Sequence, residues 1–167
     1  MRRAYLLLSC LVMALFAACS TYQAGTGTQL PFASIQVAPV ENLALAPQAH
    51  DLMSSELRRA LNQNAELALV NSDAEAELQV VLTNFRREVA ATRGEDTVLA
   101  RKYTLYLSLE ASLLKEDGQS YWFKDRPYEV SLDVFLDSGQ PQAERQGMVL
   151  LCQKAADTIA SGILQTW

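Results

Sequence analysis

The sequence predicts an α+β fold: two helices packed on one face of a mixed, mostly antiparallel sheet, in the order β-α-β-β-β-β-α. Three observations carry this. Two segments repeat apolar residues at helical spacing, three long segments read as strands, two of them alternating apolar with polar side chains, and Gly, Pro, Asp and Ser clusters separate them. No internal repeat or low-complexity domain competes with a single unit over residues 34–167.

The first strand is SIQVAPV, in which Ile35 and Val37 alternate with Gln36 and Ala38 before Pro39 stops the run. PQAHDLMSSELRRALNQN follows, with Ala49, Leu52, Met53, Leu57, Ala60 and Leu61 on one stripe and Pro47 near the first turn, where a missing N–H does no harm. ELALV, residues 66–70, reads as a short strand, and SDAEAE, residues 72–77, as a turn or one helical turn. Two long strands come next, residues 78–91 and 102–114. In the second, Tyr103, Leu105, Leu107, Leu109, Ala111 and Leu113 share one face, while Thr104, Ser108, Glu110 and Ser112 share the other. The turn EDGQ leads to a third strand in which Tyr128, Val130, Leu132 and Val134 alternate with Glu129, Ser131 and Asp133. Pro127 inside that run marks an edge position or a bulge. A closing helix, entered through Ser138, Gly139 and Pro141, carries Met148, Leu151, Cys152, Ala155, Ile159 and Ile163 as its apolar stripe. Cys152 on that stripe reads as a core thiol.

The first 18 residues stand apart from the fold. MRR precedes an uncharged run from Tyr5 to Ala18, the layout of a secretory signal and too short for a bilayer span of about 20 residues. Leu15, Phe16, Ala17 and Ala18 before Cys19 resemble a bacterial lipobox, with Phe16 where Leu is usual. Cys10 offers a rival box, but with too short an apolar core before it. Cleavage between Ala18 and Cys19, lipid on Cys19 and a polar tether over residues 19–33 are the expected organisation. Removing the signal leaves 149 of the 167 residues, a net charge of about −7, and Cys152 as the only other cysteine. That charge argues against a general nucleic-acid or anionic-membrane binder, and no disulfide is expected within a lipidated chain.

No pattern points to an enzyme or a cofactor. His50, the single histidine, has no metal-ligating neighbour in sequence, no Gly-x-Ser-x-Gly elbow occurs, and Gly25 to Gly27 precedes a strand in the wrong order for a phosphate loop. One charged region does stand out: Arg86, Arg87, Arg93, Arg101 and Lys102 cluster around one hairpin end of an acidic chain. A solvated hairpin with basic gatekeepers and an anion-contacting tip both fit, since guanidinium groups pair well with phosphate.

Taken together, the lipobox, Tyr22 and Gly25, SIQVAPVEN, LRRALNQ, AEAELQVVLTNFRRE, ATRGEDTVLARKYTLYLSLEASL and the ERQ…AADTIASGIL helix resemble the LptE-type lipopolysaccharide-assembly lipoproteins. The resemblance implies a non-catalytic plug inside an LptD-like outer-membrane β-barrel, a contact with lipopolysaccharide, and attachment to the outer membrane through the lipid on Cys19. It also implies a phosphate-contacting role for the basic hairpin, with Arg93 the best-matching position. A second basic residue after the last strand is missing from FLDSGQPQAE. A periplasm-facing scaffold or activator lipoprotein is the alternative reading.

Overall fold

The computed structural model describes residues 30–46, 48–63, 67–89, 102–135 and 140–167. The elements run β1 (Ser34–Val37), β2 (Glu41–Asn42), α1 (Ala49–Asn62), β3 (Ala68–Leu69), β4 (Ala76–Val89), β5 (Lys102–Lys115), β6 (Tyr121–Phe135) and α2 (Gln140–Leu164). The two-residue β2 is additional to the predicted order, and Ala76 and Glu77 belong to β4 rather than to the preceding turn. The segment expected as signal peptide, Cys19, Pro47, Arg93, Arg101 and residues 136–139 lie outside the described residues.

The sheet order is β3-β1-β4-β5-β6, with β2 also pairing β4. β1 lies parallel to β3 and β4, and β2 parallel to β4, whereas β4, β5 and β6 form an antiparallel meander. Pro127, opposite Glu110, therefore lies in an edge strand, where a missing N–H is tolerated best.

Both helices cover the same face. The α1 stripe Ala49, Met53, Leu57, Ala60 and Leu61 is buried, and so are Met148, Leu151, Cys152, Ala155, Ile159 and Ile163 of α2. Against them stand Leu78, Val80 and Leu82 of β4, and Leu105, Leu107, Leu109, Ala111 and Leu113 of β5. Burial pushes the Cys152 thiol up to about 12, helped by the nearby Glu56 charge, so it stays a neutral core group. Leu30 and Phe32, inside the segment expected as tether, already pack against this core.

Alternation along β4 is broken once. Pairing with β5 shifts between Leu82 and Asn84, which makes Thr83 an extra residue. Before it, even-numbered residues face the helices; beyond it, Phe85 and Arg87 do, opposite Leu107 and Leu105. Asn84, Arg86 and Glu88 turn to the open face, opposite Ser108, Tyr106 and Thr104.

β6 carries irregularities of its own, between the partners of Ala111 and Leu113 and again before Leu114. At the first, Asp125 takes φ 48°, and its backbone N–H donates to Ser112 Oγ at 2.8 Å. Small residues set the seat of α2. A Cβ at Gly147 would lie 2.7 Å from Val134 Cγ1 and 2.9 Å from Leu105 Cδ1, and one at Gly162 would lie 2.7 Å from the Tyr128 hydroxyl.

The β5–β6 turn is closed by Asp117, whose Oδ1 accepts backbone N–H bonds from Gln119 at 2.9 Å and Ser120 at 2.7 Å, with Gly118 at φ 65°. Those donors, Ser120 first, hold the Asp117 carboxyl down at about 2. A carboxylate with a depressed folded-state pKa stabilises the fold above its ordinary pKa, and the effect disappears as pH falls through about 2. Replacing Asp117 by Asn is therefore expected to flatten the acid limb of the stability curve between about pH 4 and pH 2, read by urea unfolding at each pH.

Candidate functional site: the open sheet face and its basic end

The face of β4–β5–β6 turned away from the helices is polar and charged. Its rungs cross three strands: Asn84, Ser108 and Glu129; Arg86, Tyr106 and Ser131; Glu88, Thr104 and Asp133. Side chains sharing a rung stand close enough to bond, which makes the cross-strand pair the unit of interaction here.

Arg86 is the hub. Its Nη1 and Nη2 donate to the two Glu129 carboxylate oxygens at 2.9 and 3.4 Å, and its Nε donates to Glu88 Oε1 at 3.1 Å. The guanidinium lies 4.1 Å from the Tyr106 ring centroid. Glu129 and Glu88 raise the Arg86 pKa further, while Arg86, with Ser108 adding a 3.2 Å hydrogen bond, holds Glu129 below the usual carboxylate range.

Lys102 sits at the same end of the sheet, 2.7 Å from Asp133 and 5.9 Å from the Phe135 ring centroid. Lys102, and Thr104 donating at 2.7 Å, depress the Asp133 carboxyl. Arg87 follows Arg86 in sequence but points to the helix side, where it pairs with Glu144 of α2 and approaches the Tyr103 ring at 5.6 Å.

Of the five predicted basic residues, the fold thus brings Arg86 and Lys102 onto one face and sends Arg87 to the other. Arg93 and Arg101 fall outside the described residues. Each described cation already faces a carboxylate: Glu88 and Glu129, Asp133, or Glu144. Those acids escaped the sequence reading, although Glu129 and Asp133 share the outward phase of β6. The available signal was that phase, and the irregularities of β6 hid which β5 residue each would meet.

Other candidate chemistry resolves simply. His50 Nδ1 lies 2.8 Å from the neighbouring Asp51 on an exposed helix start. Among the described residues no group of three or more His, Cys, Asp and Glu could hold a metal ion, and no helix is long and apolar enough to cross a membrane.

A family model described as LptE, lipopolysaccharide-assembly, matches residues 32–166. The chain belongs to the LptE family. A comparison with curated proteins finds no match. Among solved structures, a minor lipoprotein of Acinetobacter baumannii is 14% identical, with a TM-score of 0.55 over 80% of this chain and 93% of that one. A lipoprotein B of Nitrosomonas europaea is 17% identical, with a TM-score of 0.53 over 84% and 85% of the two chains. A chain from Caulobacter crescentus described as a candidate lipoprotein is 20% identical, with a TM-score of 0.51 over 75% and 88%. At these identities the structures share the fold with this LptE family member. Its own part in lipopolysaccharide assembly rests on the family match.

Proposed function

We propose that this LptE family member is an outer-membrane lipoprotein, cleaved after Ala18 and lipidated on Cys19, that plugs and supports an LptD-like β-barrel and binds lipopolysaccharide on its way to the outer leaflet. The observation that carries this reading is the uncovered sheet face in a chain of this family. Helices shield one face only, and the other presents a ladder of polar groups suited to the wall of a barrel lumen. Leu43, Leu45, Val149 and Leu150 add exposed apolar contacts. Lipid on Cys19 would hold the chain at the membrane, each buried CH₂ contributing about 0.8 kcal/mol.

The anion contact is assigned to the hairpin end. Arg86 and Lys102, already matched by acids, stiffen its base, and Arg93 and Arg101, in the connection beyond it, are proposed to meet phosphate. Affinity for purified lipopolysaccharide should drop several-fold in Arg93→Glu and stay near wild type in Arg58→Glu, on α1. Equal affinities for the two variants return the tip to a solvated surface. Detergent extraction from cells that make the barrel should yield the two proteins together, and a lone monomer would overturn the plug.

A further inference from the structure

The end of the sheet opposite the basic hairpin has a composition of its own. Here the chain enters the fold, and here β5 ends and β6 begins. Phe32, Trp122 and Trp167 pack together, the indoles edge to face with centroids 5.0 Å apart and Phe32 at 6.1 and 6.3 Å. Both tryptophans of the chain are in this cluster. Both indole N–H groups are buried and, among the described residues, have no hydrogen-bond partner, unusual for a side chain whose polar edge normally finds one.

Three cations lie on aromatic faces around it. Lys115 sits 4.3 Å from the Trp122 centroid, Lys124 5.3 Å from Tyr121, and Arg126 4.0 Å from Phe123. Tyr121 is among the exposed large apolar residues of the fold. Of the acids at this end, Asp117 is held by the turn N–H groups, Asp125 accepts from Ser112 at 3.2 Å, and Glu75 accepts from the Ala33 N–H at 2.6 Å. Glu116 stands exposed beside them. Net charge is therefore not the attraction. The composition is that of an interfacial belt, in which Trp and Tyr bridge hydrocarbon and water while Lys and Arg reach headgroup phosphates.

We propose that this end of the fold is a membrane-interface surface that rests among phospholipid headgroups. Position supports it as well as composition. Leu30 follows Cys19 by eleven residues, so extended chain can separate this end from the anchor by at most about 40 Å. A chain seated in a barrel lumen by its anchored end would keep these residues at the barrel rim, level with the headgroups. The proposal rests on the anchoring reading above, and the test separates the two.

The full lipidated chain is incorporated into vesicles of phosphatidylcholine and phosphatidylglycerol, with and without bromine at acyl carbons near the headgroup. Flotation reports the anchor, and tryptophan quenching reports this surface alone, because both fluorophores lie in it. Floated protein should lose at least half of its tryptophan emission to the brominated lipid. Tyr121→Glu combined with Lys124→Glu should restore most of that emission, and Gln146→Glu, exposed on α2 over the far half of the sheet, should leave quenching unchanged. Floating without quenching overturns the surface, and so does quenching that the double variant leaves intact. Failure to float removes the anchor and the surface with it.

Discussion

Deleting Thr83 is expected to leave folding cooperative, and Leu82→Asp, one residue earlier, to abolish it. Thr83 is the extra residue of the bulge, so its removal brings Asn84 next to Leu82. Asn84 then still faces outward opposite Ser108, Phe85 still faces the helices opposite Leu107, and the ladder becomes continuous. Leu82 is fully buried on the helix side, opposite Leu109. A carboxylate there puts an unpaired charge in the core, a loss on the order of 3–5 kcal/mol before the lost apolar burial is counted. That is a large part of the roughly 5–15 kcal/mol that holds a domain together. The check is a urea melt followed by circular dichroism. The Thr83 deletion should unfold cooperatively within about 1–2 kcal/mol of the parent; loss of its transition would show that the bulge itself holds the strand in register.

Gly147→Val is expected to cost about 3 kcal/mol, at the upper end for overpacking. The first added carbon would stand 2.7 Å from Val134 Cγ1 and 2.9 Å from Leu105 Cδ1, both on buried residues that the helix holds in place. Relief requires α2 to rise off β5 and β6, which also opens the contact of Met148 and Leu151 with the sheet. For a domain of this size the midpoint of thermal unfolding should fall by roughly 6–12 °C. Combining Gly147→Ala with Val134→Ala removes the nearest clashing methyl and should recover most of the stability lost in Gly147→Ala alone. An additive double mutant would place the strain elsewhere.

These two positions also mark where sequence periodicity stops being informative. The stripes of α1 and α2 and the inward face of β5 were legible because an uninterrupted period of 3.6 or 2 carries its phase along the whole element. β4 lost that property at Thr83. A bulge adds one residue without changing composition, so LTNFRRE reads as plain strand, and which of Arg86 and Arg87 faces the helices stays hidden. β6 has two such irregularities, and with them the pairing of Arg86 with Glu129 and of Lys102 with Asp133 became unreadable. β2 was too short to leave any periodic trace. Gly147 and Gly162 sit inside a helical pattern, where a glycine reads as a weak position until the neighbouring strand is in view.

The pairing of β4 with β5, which resumes past the bulge at Thr83 and runs from Ala76 opposite Lys115 to Val89 opposite Tyr103, also fixes a length. At about 3.4 Å per residue the ladder measures roughly 45 Å, against 40–45 Å for a bilayer with its headgroup regions. The two ends of the hairpin are thus spaced like the two surfaces of a membrane. Set upright on the membrane-interface surface proposed above, the protein would act as a ruler, with Trp122 at the level of the near headgroups and the Val89 end of the ladder at that of the far ones.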